Sequence, residues 1–114
     1  MEKIYVTITG MNHRFGSGFV EAHMLGKMKI TLEKEPENEY DNEAIMAKLP
    51  PLGKIGYVAN NSFSVVGDCY SAGRLYDKIG DTATATVEYK VGNGLICSVD
   101  EEGLIYPVVK DVIF

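Results

Sequence analysis

The residues best placed to hold a ligand fall in one polar turn. The stretch Lys34-Glu35-Pro36-Glu37-Asn38-Glu39-Tyr40-Asp41-Asn42-Glu43-Ala44-Ile45 carries a proline, two asparagines and a Tyr-Asp pair. Asparagine and aspartate bond their own backbone two residues on, and Pro36 fixes its own φ while pushing Glu35 towards an extended conformation. Taken alone, Tyr40 reads as a turn aromatic packed on its own loop and Asp41 as a turn acceptor. The sharper reading is that Asn38, Tyr40 and Asp41 hold something. A second loop, Met11-Asn12-His13-Arg14-Phe15-Gly16-Ser17-Gly18, sets two bases and an aromatic among glycines, which is unusual in an acidic chain.

Other chemistries find less support. The acidic run Glu33, Glu35, Glu37, Glu39, Asp41 and Glu43 contains no glycine, whereas calcium loops need ligands at set spacings around a glycine turn. It reads as a solvated face. Cys69 or Cys97 with His13 or His23 would make a nucleophile-base pair only by tertiary coincidence. No glycine-rich phosphate loop and no paired metal-ligand motif appears, so neither enzymatic activity nor a cofactor is expected.

Composition bounds the remaining possibilities. At 114 residues the chain reads as a single domain, residues 1–114, long enough to bury a core without metal or disulfide staples. Sixteen acidic against 11 basic residues give a formal charge of −5, which argues against a non-specific nucleic-acid binder but not against a small local site. The two cysteines are too few and too separated for a zinc site, though they are able to pair. No apolar leader follows the first residues and no run reaches the length of a membrane span, so the expectation is a soluble, cytoplasmic protein without membrane partners.

These groups need a scaffold, and apolar alternation outlines one. Ile4, Val6 and Ile8 alternate with Tyr5, Thr7 and Thr9, and Met28, Ile30 and Leu32 do the same over 28–33. Strands are also expected over 45–49, 54–59, 82–90 and 95–99, with a short one starting at Phe19-Val20, and turns at Gly26, 50–53 and 91–94. The 82–90 strand shows small residues on one face. Asn60-Asn61-Ser62 offers cap chemistry for a helix over 63–68, and Ser71 for a second over 72–78, although Gly67 and Gly73 weaken both. The expected fold is mainly β with short helices: a small OB-like β-barrel of about six strands with about two short helices packed on it. The apolar tail over 104–114 is expected to add an extra strand or to meet another subunit.

Here the residues resemble a family. Glu35-Pro36-Glu37-Asn38-Glu39-Tyr40-Asp41-Asn42-Glu43-Ala44-Ile45, followed by Gly53-Lys54-Ile55-Gly56-Tyr57-Val58, is similar to the signature of the HIRAN domain: an acidic residue, Pro and Asn leading into Tyr-Asp, then Ala-Ile, and later a Gly-hydrophobic-Gly-aromatic-hydrophobic strand. The likeness extends more weakly from Val6 to Val99. It implies a fold similar to an OB barrel and, by analogy with members fused to a helicase-like transcription factor, recognition of the 3′ end of single-stranded DNA. It further implies work in DNA repair or replication-fork processing, alongside a protein partner such as a helicase or nuclease. By position, Tyr40 and Asp41 match the pocket pair, with the aspartate on the terminal hydroxyl, and Asn38 an asparagine of the same loop. Asn12, His13 and Arg14 fall where the family has a DNA-binding arginine and stacking aromatics; here His13 can stack and Phe15 stands one residue along. Tyr57 matches a ligand-side residue, and Asn60 takes the place of a phosphate-binding lysine, although its own context reads as a helix cap.

The physical chemistry runs alongside that implication. Single strands are held by bases stacked on aromatic faces, at roughly 1–3 kcal/mol per base, and by cations on the backbone. His13, Arg14, Phe15, Tyr40 and Tyr57 are able to supply both. Asp41 repels phosphate, so it makes sense only against a hydroxyl or a base edge, which selects a strand end with a free hydroxyl. The alternative is a protein-interaction or assembly module that keeps the barrel without DNA binding, using the acidic face or the tail, including self-association through that tail. Local charge separates the two. Arg14, Lys54 and Arg74 or Lys78 converging on the Tyr40 loop favour the strand end, and surrounding acids favour the protein partner.

Overall fold

The computed structural model describes residues 3–10, 28–50, 53–92 and 94–105. Each alternating run forms a strand with its apolar face turned inward. The strands are β1 (Tyr5–Thr9), β2 (Lys29–Lys34), β3 (Ile45–Leu49), β4 (Gly53–Val58), β5 (Thr82–Val91) and β6 (Gly94–Val99). They close into an antiparallel barrel in the order β1-β4-β3-β2-β5-β6, with β6 returning to β1. The barrel expected from the sequence is therefore present, with its six strands.

Fully buried Val6, Ile8, Leu32, Ile45, Val87 and Leu95 fill the interior, with Ile30 and Leu49 almost as deeply set. On β5, Ala83 and Ala85 take the inward positions, as the small face of that run implied. Their size admits the 3-10 turn Glu101–Gly103, where the α-carbon of Gly103 comes so near that a Cβ would lie 2.9 Å from Ala83 Cβ. Asp100 fastens this end of the barrel: its carboxylate accepts from Lys29 Nζ at 2.9 Å, Thr84 Oγ1 at 2.6 Å and Thr86 Oγ1 at 3.0 Å. Burial pushes the Asp100 carboxyl up, but the hydrogen bonds from Thr84, Lys29 and Thr86 outweigh it and hold the group below its ordinary value.

The connection between β4 and β5 departs from expectation. No helix forms over 63–68, where the chain makes only turns and bends. Asn61 does cap, its Oδ1 accepting from Phe63 N at 2.9 Å and Ser64 N at 3.0 Å, and Val65 N reaches Asn61 O at 3.1 Å. Propagation then fails because Val66 N is diverted to Thr7 Oγ1 at 3.1 Å and Gly67 turns to φ +52. This diversion also explains why Thr7, on the outer face of β1, is buried. The other expected helix is present as α1 (Ala72–Tyr76) with Ser71 as its N-cap, and it is the one α-helix among the described residues.

Both cysteines are free thiols and buried, so the pairing left open by the sequence is absent. Burial, with Glu88 and Cys69 nearby, pushes the Cys97 thiol up to about 12, well away from reactive thiolate. At the far end, Leu104 bridges to Ile79 and Ile105 N donates to Lys78 O at 2.7 Å. The expected strand at Phe19-Val20, the turn at Gly26 and the rest of the tail, 106–114, lie outside the described residues. Among the described residues no helix is long and apolar enough to cross a membrane.

Candidate functional site

The loop between β2 and β3 is closed at its base by the Lys34–Ile45 pair and by Glu35 N donating to Ala44 O at 2.8 Å. Its interior is built by two side chains. Asn38 Oδ1 accepts from Tyr40 N at 2.9 Å and Asp41 N at 3.1 Å, and Asp41 Oδ1 accepts from Glu43 N at 2.9 Å. These are the local bonds that Asn and Asp favour, and they leave the Tyr40 ring 91% exposed.

Two further segments are tied to this loop. On β4, the Tyr57 hydroxyl donates to Glu35 Oε1 at 2.7 Å, and Asn38 Nδ2 donates to the same oxygen at 3.0 Å. Those hydrogen bonds, that of Asn38 first, hold the Glu35 carboxyl below its ordinary value against the opposing push from burial, and Lys54 adds to their effect. The same bond to Glu35 raises the Tyr57 phenol above its ordinary value. Lys54 Nζ lies 5.1 Å from the centre of the Tyr57 ring. After β4, Asn60 Nδ2 donates to Asp41 Oδ2 at 2.9 Å and to Glu43 Oε1 at 3.3 Å.

Asn60 also serves α1, whose first turn is fully satisfied. Ala72 N donates to Ala59 O at 2.9 Å, Gly73 N to Asn60 Oδ1 at 2.7 Å and Arg74 N to Ser71 Oγ at 3.2 Å. The helix that Asn60 was expected to cap, over 63–68, is absent; its amide oxygen instead accepts from the first turn of α1, whose N-cap is Ser71.

The result is one open cleft of about 500 Å³. Asn38, Tyr40, Asp41, Tyr57 and Asn60, all singled out from the sequence, line it together. Asn12, His13, Arg14 and Phe15 lie outside the described residues. Of the cations expected to converge on the Tyr40 loop, Lys54 lines the cleft. Two features of the site escaped sequence reasoning: Glu35 anchors both Asn38 and Tyr57, and Asn61 and Ser64 form part of the wall. Asn61 was legible as a cap, which here stops at a turn.

Charge does not converge as a strand-binding groove would require. Among the described residues Lys54 is the one cation lining the cleft. Arg74 stacks on the Tyr70 ring at 3.8 Å, and Lys78 approaches Asp77 at 3.4 Å. Asp41 lines the cleft, and Glu35 and Glu43 are bonded into its wall. No group of three His, Cys, Asp or Glu placed to hold a metal exists among the described residues.

Chemically, the arrangement offers an exposed ring for stacking, one ammonium, and a carboxylate fixed at both oxygens. Each Asp41 oxygen takes one hydrogen bond and keeps further acceptor capacity, so the group can receive a hydroxyl without rearranging. Comparison with known proteins finds no family model, no curated protein and no solved structure that matches the chain.

Proposed function

We propose that this protein is a non-catalytic module that binds the end of a single DNA strand, through its free 3′ hydroxyl, in the manner of the HIRAN domain that its Glu35–Ile45 and Gly53–Val58 segments resemble. The observation that carries this reading is the convergence of Asn38, Tyr40, Asp41, Tyr57 and Asn60, drawn from separate segments, on one cleft with Tyr40 exposed. In this reading the terminal base stacks on Tyr40 and the hydroxyl donates to Asp41. Lys54 meets one phosphate. A single cation suits a strand end better than a strand interior, which needs a charged groove along several phosphates. A role in DNA repair or fork processing, beside a helicase or nuclease, belongs to the same proposal.

The test is fluorescence anisotropy with a short labelled oligonucleotide ending in a 3′ hydroxyl or a 3′ phosphate, at two salt concentrations. The expected result is tighter binding of the hydroxyl end, lost in Tyr40→Ala and Asp41→Ala. With one phosphate engaged, the slope of log affinity on log salt is about −0.7. Equal binding of both ends, or none at low salt, refutes the proposal.

One observation favours a second reading. Glu35, Asp41 and Glu43 outnumber Lys54 around the cleft, which suits a cationic segment of a protein partner. Binding of a lysine-rich peptide, abolished by the same variants while DNA shows none, would establish it.

A further inference from the structure

The cleft is richer in acceptors than in free donors. Four side chains of its wall already donate into the protein: Asn38 Nδ2 and the Tyr57 hydroxyl to Glu35 Oε1, Asn60 Nδ2 to Asp41 and Glu43, and Ser64 Oγ to Asn61 Oδ1. Neither Asn38 nor Asn60 can reverse its amide. Asn38 Oδ1 accepts from Tyr40 N and Asp41 N, Asn60 Oδ1 accepts from Gly73 N, and main-chain N–H groups can only donate. Both side chains are therefore held with their amino ends on carboxylates.

A ligand meets what is left. The Tyr57 oxygen, its proton committed to Glu35, keeps only lone pairs to offer. Asp41 takes one hydrogen bond at Oδ1 from Glu43 N and one at Oδ2 from Asn60, which leaves both oxygens room for another donor. Such a lining selects a ligand that brings hydroxyl protons of its own, and about 500 Å³ admits a whole nucleoside.

Two adjacent acceptor oxygens on one carboxylate suit two adjacent donors. A deoxyribose end carries a lone 3′ hydroxyl and leaves one Asp41 oxygen to water, whereas the cis 2′ and 3′ hydroxyls of a ribose reach both. Acidic side chains take ribose hydroxyls in a similar way in dinucleotide-binding folds. We propose that the cleft prefers a strand whose last residue is a ribonucleotide, with both hydroxyls of that sugar donated to Asp41. This inference rests on the strand-end reading above and concerns only the terminal sugar.

The experiment titrates the whole chain, by fluorescence anisotropy, against labelled hexathymidylates that differ only in the sugar of the 3′ residue: deoxyribose, ribose, arabinose or 2′-O-methylribose. Arabinose sets its 2′ hydroxyl trans to the 3′ hydroxyl, and the methyl ether keeps the 2′ oxygen without its proton. The expected result is a ribose end bound about tenfold tighter than the deoxyribose end, the value of one added hydrogen bond to a charged acceptor. The arabinose and 2′-O-methyl ends should bind no tighter than deoxyribose. In Asp41→Asn the ribose preference should disappear, either because both ends bind alike or because neither binds. Equal binding of ribose and deoxyribose ends by wild type overturns the inference and leaves the strand-end reading standing. So does an arabinose end that matches ribose, or a ribose preference that survives in Asp41→Asn. No binding of any of these strands by wild type overturns both.

Discussion

Asn60 and Asp41 meet through a 2.9 Å hydrogen bond, and the other end of the Asn60 amide accepts from Gly73 N at 2.7 Å. One side chain thus couples the Tyr40 loop to the first turn of α1. Asn60→Ala strips Gly73 N–H of its partner and frees Asp41, and should destabilise the protein by about 1–2 kcal/mol in urea unfolding. Asn60→Asp keeps the acceptor for Gly73 but sets a third carboxylate against Asp41 and Glu43. Its deficit relative to wild type should shrink as the pH approaches the carboxylate range near ~4.

Glu35 makes the site sensitive to acid. Its carboxyl is lowered from the ordinary 4.5 by the hydrogen bonds of Asn38 and Tyr57, so the folded state releases its proton more readily than the unfolded chain. A lowered group contributes stability that is present above its ordinary value and fades as the pH falls through the folded one. Glu35→Gln keeps an acceptor but cannot ionise. Between about pH 5 and 3, wild type should therefore lose more stability than Glu35→Gln, as read by urea midpoints. Asp100, lowered as well, titrates in the same window in both proteins and cancels from the comparison.

Thr7→Val is nearly isosteric but removes the acceptor for Val66 N. The hydroxyl is buried but Val66 is partly exposed, so its N–H can turn to water and a cost of about 1 kcal/mol is expected. Amide hydrogen exchange at Val66 should accelerate well beyond exchange at core amides such as Leu32 if the turn loosens locally.

Gly56 marks the closest approach of β4 to β1. A Cβ there would collide with the backbone oxygen of Thr9 and lie 3.2 Å from Ile8 Cγ2. Gly56→Ala should cost about 1–3 kcal/mol or more, since the obstacle is main chain and cannot swing aside. Gly73→Ala is the contrast: its Cβ meets the carboxylate end of Glu43 at 2.6 Å, a flexible side chain that can swing aside at the cost of its 3.3 Å bond from Asn60. Thermal unfolding should shift by less than about 1 kcal/mol for that variant, helped by the better helix propensity of alanine.

The barrel was legible because period-two alternation is a strong signal. Val6, Ile8, Ile30 and Leu32 all point where the pattern said, and β3 spans the expected residues 45–49. The Ser71 cap was legible for the same local reason. The segment 63–68 was misread because capping chemistry at Asn61 is identical for a helix and for a single turn. What decides between them is a distant hydroxyl, that of Thr7, which no local pattern announces. At the site, the types of Asn38, Tyr40 and Asp41 announced a built loop, but the anchoring of Tyr57 by Glu35 is a contact between strands and loops that spacing does not encode. The exposure of Phe63 was equally hidden, since its sequence reads as the start of an apolar helix face.

The loop between β2 and β3 begins and ends on paired residues, Lys34 and Ile45, and is sealed just inside by Glu35 and Ala44. Asn38 and Asp41 supply its internal bonds, while Tyr57 and Asn60 moor it from outside at Glu35, Asp41 and Glu43. The segment is consequently no cassette. Grafted onto another hairpin it would carry its inner turn along but leave both moorings behind, so its shape belongs to the whole ring of strands and not to its own residues.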